Sequence, residues 1–232
     1  PKSGRGFDWE ISMGGYAIGN ESNTAPANWA TWIPPGGAIS FQMHYTPIGK
    51  AFTDNSKIGF YFGPEPELVK RQIIIADPSI QIEANQARWH ETAYVQFPAP
   101  VQVYAAQIHA HYRGYASKLT AIYPDGKEEI LLNMPKYDFN WQRDYDPVEP
   151  ILVKAGTKLI ATWVYDNSPD NKTLHKEAKD PAGSPIASYT SNVRWGEQSH
   201  EEMMYFRVNY RWADETVDNI RNDLQSKLMS SM

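Results

Sequence analysis

The sequence contains no cysteine in its 232 residues, and this absence limits the chemistry that the chain can perform. Without thiols it can form no disulfide and offers no thiolate to a metal, which excludes zinc ribbons, blue-copper sites and iron–sulfur clusters. No apolar run approaches the roughly 18 residues of a membrane-spanning helix, and there is no block of basic residues. The ligands left for a metal ion are histidine, methionine, carboxylate and carbonyl groups.

Charge and composition narrow the possible partners. A net charge of -5 gives the chain no electrostatic attraction for nucleic acid, so no nucleic-acid partner is expected. Residues 1–6 are typical neither of a signal peptide nor of a translation start, which predicts that the chain begins inside a longer polypeptide. A hydrophobic fraction of 41% is sufficient for one large β domain or two small ones.

The dominant hydrophobic period is two, and turn residues such as Pro124-Asp125-Gly126 separate the apolar runs. This pattern predicts an all-β fold built from sandwiches. The predicted strands are Ala38–Tyr45, Lys57–Phe62, Arg71–Ile75, Ile80–Ile82, Trp89–Phe97, Val101–Tyr112, Lys118–Tyr123, Glu128–Met134, Lys158–Tyr165 and Met204–Arg211.

Three features divide the chain. An extended run around Asp77-Pro78 predicts a boundary between two sheet systems within Ile75–Glu83. The polar segment Ser168–Asn192 predicts a long surface loop. After Asp214, apolar residues recur at helical spacing and predict an amphipathic tail helix. The residues of this stripe are Val217, Ile220, Leu224 and Leu228.

His109 and His111 lie two residues apart in a predicted strand. Side chains at this spacing leave the same face, roughly 6.6 Å apart along the strand, so both imidazoles can reach one metal ion. His-x-His also occurs by chance in strands, and a third ligand is needed to favour the metal site. A thioether from Met203 or Met204 would favour copper, particularly Cu(I), although core packing is the commoner role of methionine.

Several motifs follow one another in a recognisable order. They are His109-x-His111-x-x-Gly114, Tyr137-Asp138-Phe139-Asn140-Trp141-Gln142, Asp166-Asn167-Ser168, Trp195-Gly196-x-Gln198 and Glu202-Met203. This order resembles the copper type II, ascorbate-dependent monooxygenases, the family of the peptidylglycine and dopamine monooxygenases, and especially their bacterial relatives. Upstream, residues 32–37 followed by 41–45 resemble the strand that carries the last copper ligand of the family's first domain, here His44. The resemblance covers about Gly14 to Tyr210.

Family members have two β-sandwich (jelly-roll-like) domains facing a solvent-filled cleft, each with one copper ion. The resemblance implies that residues 1–78 are the C-terminal part of an incomplete first domain. It also implies that residues 79–212 form the second, copper-binding sandwich and that residues 213–232 form a short helical tail. The implied copper ligands are His109, His111 and Met203, with His44 at the first copper. Met203 is preferred to Met204 because Glu202 matches the acidic residue that precedes the family's ligand.

Two departures from the family pattern affect function. The family's first copper also uses a His-His pair upstream of the strand-borne histidine, and this sequence contains no such pair. Where peptide-amidating members use Arg, Asn and Tyr to hold a peptide carboxylate, this chain has Gln107, Tyr205 and Arg207, which disfavours peptide α-amidation. These three residues, together with His200, are predicted to line the cleft or to support the ligands. No catalytic acid–base residue is identified.

The resemblance implies a monooxygenase that uses copper, dioxygen and an ascorbate-like reductant to hydroxylate a C–H bond of an unidentified small-molecule or peptide substrate. One copper ion is expected, or two if upstream sequence completes the first site. The alternatives are a single-copper binding module without turnover and a non-catalytic subunit. Such a subunit would dock to a larger periplasmic or membrane-associated complex through the tail. Because relatives are exported, a periplasmic or extracellular location is expected.

Overall fold

The computed structural model describes residues 14–17, 27–31, 33, 38–45, 48–64, 66–176, 188–216 and 218. Strands predominate among these residues, and a short helix, α1, covers Lys172–Lys176. The prediction of an all-β fold is confirmed. In this described part of the chain there is no helix with the length and apolar character needed to cross a lipid bilayer.

The strands of the described residues range from two to eleven residues in length. They are β1 (Trp29–Ala30), β2 (Leu68–Val69), β3 (Arg71–Ala76), β4 (Gln81–Ile82), β5 (Gln86–Gln96), β6 (Val101–His109), β7 (Gly114–Ile122), β8 (Glu128–Met134), β9 (Asp144–Tyr145), β10 (Ile151–Val153), β11 (Lys158–Asn167), β12 (Val193–Arg194) and β13 (Tyr205–Trp212).

Two antiparallel sheets form a sandwich. The first sheet has the strand order β10-β6-β13-β3, with β9 also paired to β6, and the second has the order β5-β11-β7-β8. Their facing side chains form one apolar core that includes Ile108, Leu119, Trp163 and Phe206. Because such burial removes large apolar surfaces from water, this core is the main source of stability.

Strand β11 shows how the sequence specifies this arrangement. Its buried residues alternate with less buried ones, so that Leu159, Ala161, Trp163 and Tyr165 all face the core. Period-two alternation is expected for a strand with one face on the core. The same strand pairs with β5 on one side and β7 on the other, which places it in the middle of its sheet.

The outer face of the first sheet is partly covered by residues that precede it. Strands β1 and β2 form a small parallel ladder, and the ring of Trp29 packs edge-on against Tyr104 of β6 at 4.5 Å. The guanidinium of Arg211 in β13 lies 5.7 Å from the centre of the same Trp29 ring. Trp29 therefore anchors this upstream segment on the sheet.

Two predicted strands are wrong. Residues 38–45 and 57–62 form no strand, and the side chains of Phe41, Tyr45 and Tyr61 are exposed. The alternation of apolar residues is present in both segments, but a strand also needs a hydrogen-bonded neighbour. The ladders found among the described residues do not include these segments.

Other predictions fall partly outside the described residues. The predicted tail helix depends on Val217, Ile220, Leu224 and Leu228, which lie outside them. The predicted loop Ser168–Asn192 contains helix α1, and residues 177–187 of it are likewise outside. The division of the chain at residue 78 remains a prediction, and β3, which precedes it, pairs with β13 in the first sheet.

The predicted strand Val101–Tyr112 ends earlier, at His109. Residues 110–113 connect β6 of the first sheet to β7 of the second, so His111 lies just beyond the strand. The backbone leaves the ladder because other groups bind it there: the hydroxyl of Tyr137 bonds to both main-chain groups of Ala110. The expectation that both histidines belong to one strand is therefore corrected.

Candidate metal centre

His109 is the last residue of β6 and lies on the outer face of the first sheet. Directly across the ladder is Tyr205 of β13, whose ring centre is 5.7 Å from that of His109. The Nδ1 atom of His109 lies 2.5 Å from Oε1 of Gln142. This contact holds the ring and defines which nitrogen carries the proton.

Gln142 can present only its oxygen to His109. Its Nε2 donates to the carbonyl of Phe139 at 2.7 Å, and the reverse orientation of the amide would set two oxygens against each other. Nδ1 of His109 must therefore be the donor in its contact with Gln142. In the neutral ring Nε2 is then the unprotonated nitrogen, the form in which histidine binds metals.

His111 is held in the same tautomer by a different group. Its Nδ1 lies 3.3 Å from the carbonyl oxygen of Glu201, which can only accept, so Nδ1 carries the proton. The rings of His109 and His111 are 5.1 Å apart and nearly perpendicular, at 86°. Although His111 lies beyond the strand, the two imidazoles still form a compact pair.

Both imidazoles are kept neutral by their surroundings. Burial lowers the pKa of His109, and burial together with the neighbouring His109 lowers the pKa of His111 to about 3. A neutral imidazole has a lone pair available at physiological pH, whereas a protonated ring cannot bind a metal. The pair is therefore in the protonation state that a metal ligand requires.

The two neighbouring methionines have different environments. Met204 is fully buried in the core, whereas Met203 is only half-buried. Among the described residues, no three His, Cys, Asp or Glu side chains form a group that could hold a metal ion. A metal at the histidine pair would thus need a different third donor, and the thioether of Met203 fits this role.

Tyr137 holds the turn at residues 110–113, which carries His111. The Tyr137 hydroxyl donates to the carbonyl of Ala110 at 2.7 Å and accepts from its N–H at 3.2 Å. The Tyr137 ring also packs on Gly114, where an added Cβ would lie 2.7 Å from the ring. The glycine of the His-x-His-x-x-Gly motif is thus required by the close approach of Tyr137.

A second set of bonds fixes the other side of the turn. Arg113 is almost fully buried, and its guanidinium donates to Asn167 Oδ1 and to the carbonyls of His200 and Ser188. The carboxylate of Glu202 accepts main-chain N–H bonds from His111, Arg113 and Met203. Burial raises the pKa of Glu202 to about 7.

His44 lies near the pair but on the surface. A positive charge on His44 lowers the pKa of both His109 and His111, and His44 itself is exposed. The adjacent Gln42 donates to Oε1 of Glu197 at 3.1 Å, which links this segment to the loop before Met203. His44 therefore lies near the candidate site, but among the described residues it belongs to no group of three His, Cys, Asp or Glu side chains that could hold a metal ion.

The other predicted site residues have separate environments. Gln107 and Arg207 face each other across the ladder on the same face as His109 and Tyr205. Gln107 donates to the carbonyl of Gln142, and Arg207 forms a 2.6 Å ion pair with Asp144. His200 has an exposed side chain and contributes its carbonyl to Arg113.

Sequence reasoning missed what the supporting residues do. The roles of Arg113, Asn167 and Glu202 depend on bonds between segments far apart in the chain, which spacing does not show. In the sequence, only their positions within the ordered motifs indicated that these residues belong to the site.

Comparisons with known proteins add little to this geometry. No family model and no curated protein matches the chain. The solved structures similar to parts of it include dimeric latent PorU from Porphyromonas gingivalis, at 6% identity and a TM-score of 0.23, and a mutant VP2 protein of infectious bursal disease virus, at 9% identity and a TM-score of 0.28. The matches cover 63% and 70% of this chain, but only 13% and 37% of those chains.

Proposed function

We propose that His109, His111 and Met203 bind a copper ion. We further propose that the chain functions as a copper-dependent monooxygenase-like protein, hydroxylating a C–H bond with dioxygen and an external reductant. The observation that carries the proposal is the compact pair of neutral imidazoles, each with its Nδ1 hydrogen-bonded and its Nε2 unprotonated. Fixed tautomers are typical of histidines that bind metals.

The donor set favours copper over other ions. Two imidazoles and a thioether form a soft set that suits Cu(I), whereas calcium, magnesium and manganese prefer oxygen donors. When bound, copper supplies one-electron chemistry towards dioxygen, which the side chains at this site do not provide. The residues of this chain would hold the ion, keep the imidazoles neutral and limit access of water through the packing around His111.

The face beside His109 supports a substrate other than a peptide carboxylate. Arg207 lies two residues from Tyr205 on this face, but its guanidinium is paired with Asp144 and is largely buried. Gln107 is neutral and uses its amide N–H to bind Gln142. An anionic substrate would therefore have to compete with Asp144 for Arg207.

One observation favours a second candidate function, a single-copper module without turnover. Its basis is that the sequence contains no His-His pair that could complete a copper site with His44. The two functions differ in copper content. Two ions per chain would indicate a second redox centre, and one would indicate the module.

Copper stoichiometry after reconstitution tests the proposal, measured by elemental analysis together with Cu–S scattering in the X-ray absorption spectrum of the Cu(I) form. The wild-type protein should bind copper with sulfur in its coordination. Met203→Ile should remove the sulfur signal, and His109→Ala should lower the copper content.

Met134→Ile provides the matched control, because Met134 is a half-buried methionine on β8 in the other sheet. It should leave copper content and sulfur scattering unchanged. Retention of the sulfur signal in Met203→Ile, or of full copper content in His109→Ala, would contradict the ligand assignment. Ascorbate-supported oxygen consumption by the copper-loaded protein then distinguishes the oxygenase from the module.

A further inference from the structure

Glu202 is a fully buried carboxylate that lies immediately before Met203. Burying a carboxylate is costly unless its oxygens are bound, and both oxygens of Glu202 are. Oε1 accepts from the N–H groups of His111 and Met203, and Oε2 accepts from the N–H of Arg113 at 2.9 Å. Its donors therefore include the main chain of two of the proposed copper ligands.

These bonds join two segments that are distant in sequence. His111 and Glu202 are separated by 91 positions, and the carboxylate of Glu202 spans the space between the turn at residues 110–113 and the start of β13. The position of a ligand atom depends on its backbone as much as on its rotamer. A group that binds both backbones therefore sets how far the Met203 thioether lies from the His111 imidazole.

Each of these two segments is also held by a tyrosine hydroxyl. Tyr137 binds Ala110 in the turn, and Tyr165 donates its hydroxyl proton to the carbonyl of Met203 at 3.0 Å. Each of these tyrosines packs on Trp163, with ring centres at 5.1 and 5.8 Å. This aromatic support fixes each segment against the core, whereas Glu202 binds one segment directly to the other.

We infer that Glu202 is a positioning residue for the metal centre: it binds no metal, but holds Met203 and His111 so that the thioether and the imidazole meet the same ion. This inference rests on the proposed copper site. Groups that orient metal ligands typically change metal affinity by about 10- to 100-fold when they are replaced. The effect of losing Glu202 should therefore appear in copper coordination.

The test compares Glu202→Leu and Glu202→Gln with the wild-type protein. Leucine removes all the acceptors and adds no sulfur near the site, so Glu202→Leu should lose Cu–S scattering and bind Cu(I) about 10- to 100-fold more weakly. Glutamine keeps one oxygen, which can still face His111 and Met203, so Glu202→Gln should retain the sulfur signal with a smaller loss of affinity. Affinity is measured by competition with a chromophoric Cu(I) chelator.

Glu215→Leu is the matched control, because Glu215 is also a buried carboxylate but pairs with Arg71 at the far end of the same sheet. It should destabilise the protein without changing Cu–S scattering. If Glu202→Leu does not fold, Glu202→Gln decides the question: Cu(I) affinity equal to that of the wild type would overturn the inference.

The outcomes separate this inference from the proposed function. A wild-type protein that binds Cu(I) without sulfur, or not at all, contradicts the copper site itself. A wild-type protein with Cu–S scattering that persists at full affinity in both Glu202 variants leaves the copper site intact and shows that Glu202 does not position it.

Discussion

Gly114 occupies the point where the histidine-bearing turn meets the ring of Tyr137. An added Cβ would lie 2.7 Å from Cδ1 of Tyr137 and 2.9 Å from the Cβ of Ala110. Gly114→Ala is therefore expected to destabilise the fold by about 1–3 kcal/mol, because the ring or the turn must move. Urea unfolding followed by tryptophan fluorescence measures this change.

Gly59→Ala is the control for that substitution. Gly59 is exposed, and an added Cβ would meet no atom within 4 Å. Its effect on the free energy of unfolding should stay within about 0.5 kcal/mol, as is usual for surface positions. Equal stability of the Gly114→Ala and wild-type proteins would show that the contact with Tyr137 is not restrictive.

The sequence identifies the candidate ligand residues, but it does not predict their tautomers. Both histidines and Met203 could be proposed from spacing and motif order. The tautomer of His109 could not, because it depends on the amide of Gln142, whose orientation is in turn set by the carbonyl of Phe139. Such chains of hydrogen bonds are defined only once distant segments have come together.

At the scale of elements, strand β9 is too short to be held by its ladder alone. It pairs with β6 at Ala106 and Gln107 only, and its Asp144 forms an ion pair with Arg207 on the next strand, β13. Both side chains are largely buried, at 9% and 18% exposure for Arg207 and Asp144. The ion pair therefore fastens β9 across β6.

Replacing Arg207 alone should destabilise the protein more than replacing both Arg207 and Asp144. Arg207→Met leaves the Asp144 carboxylate without its guanidinium and is expected to destabilise the protein by about 2–4 kcal/mol. The double variant Arg207→Met with Asp144→Leu should recover part of this loss, because the Asp144 carboxylate that lost its guanidinium is then removed as well. A double-mutant cycle on the free energy of unfolding measures the coupling.

Lys70 reduces the expected destabilisation of Arg207→Met. It lies close enough to Asp144 and Arg207 to be affected by both charges, and burial is the largest cause of its lowered pKa. Lys70 can therefore compensate part of the Asp144 charge in the single variant. A double variant that is less stable than Arg207→Met would contradict the expected order.

The long strands were predictable because one face of each packs on the core, which makes apolar and polar residues alternate. Predicted strands Glu128–Met134 and Lys158–Tyr165 correspond to β8 and to most of β11. Strands β1, β2, β9 and β10 were missed, since two or three residues carry no period. Residues 38–45 had the right period and no partner, and a partner cannot be inferred from one segment alone.

At the scale of the whole molecule, two buried groups make stability depend on pH, and their contributions change in opposite directions as the pH rises. In the metal-free protein the pKa of His111 is lowered to about 3, from 6.5 in the unfolded chain. Protonation therefore favours the unfolded state, and the stability associated with neutral His111 is lost as the pH falls from about 6.5 towards 3. Glu202 acts in the opposite sense, because its raised pKa of about 7 makes its contribution fall as the pH rises from 4.5 to 7.

Replacing His111 isolates its part of this dependence. The stability difference between the metal-free wild type and His111→Asn should shrink by about 2–3 kcal/mol between about pH 7 and about pH 4.5, at 1.36 kcal/mol per pKa unit. Glu202 is present in both proteins, so its contribution largely cancels in the difference. Urea unfolding at a series of pH values, with a chelator present throughout, provides the measurement. A difference that stays constant over this range would mean that His111 is not kept neutral by the fold, and the case for a preformed metal ligand at this position would be lost.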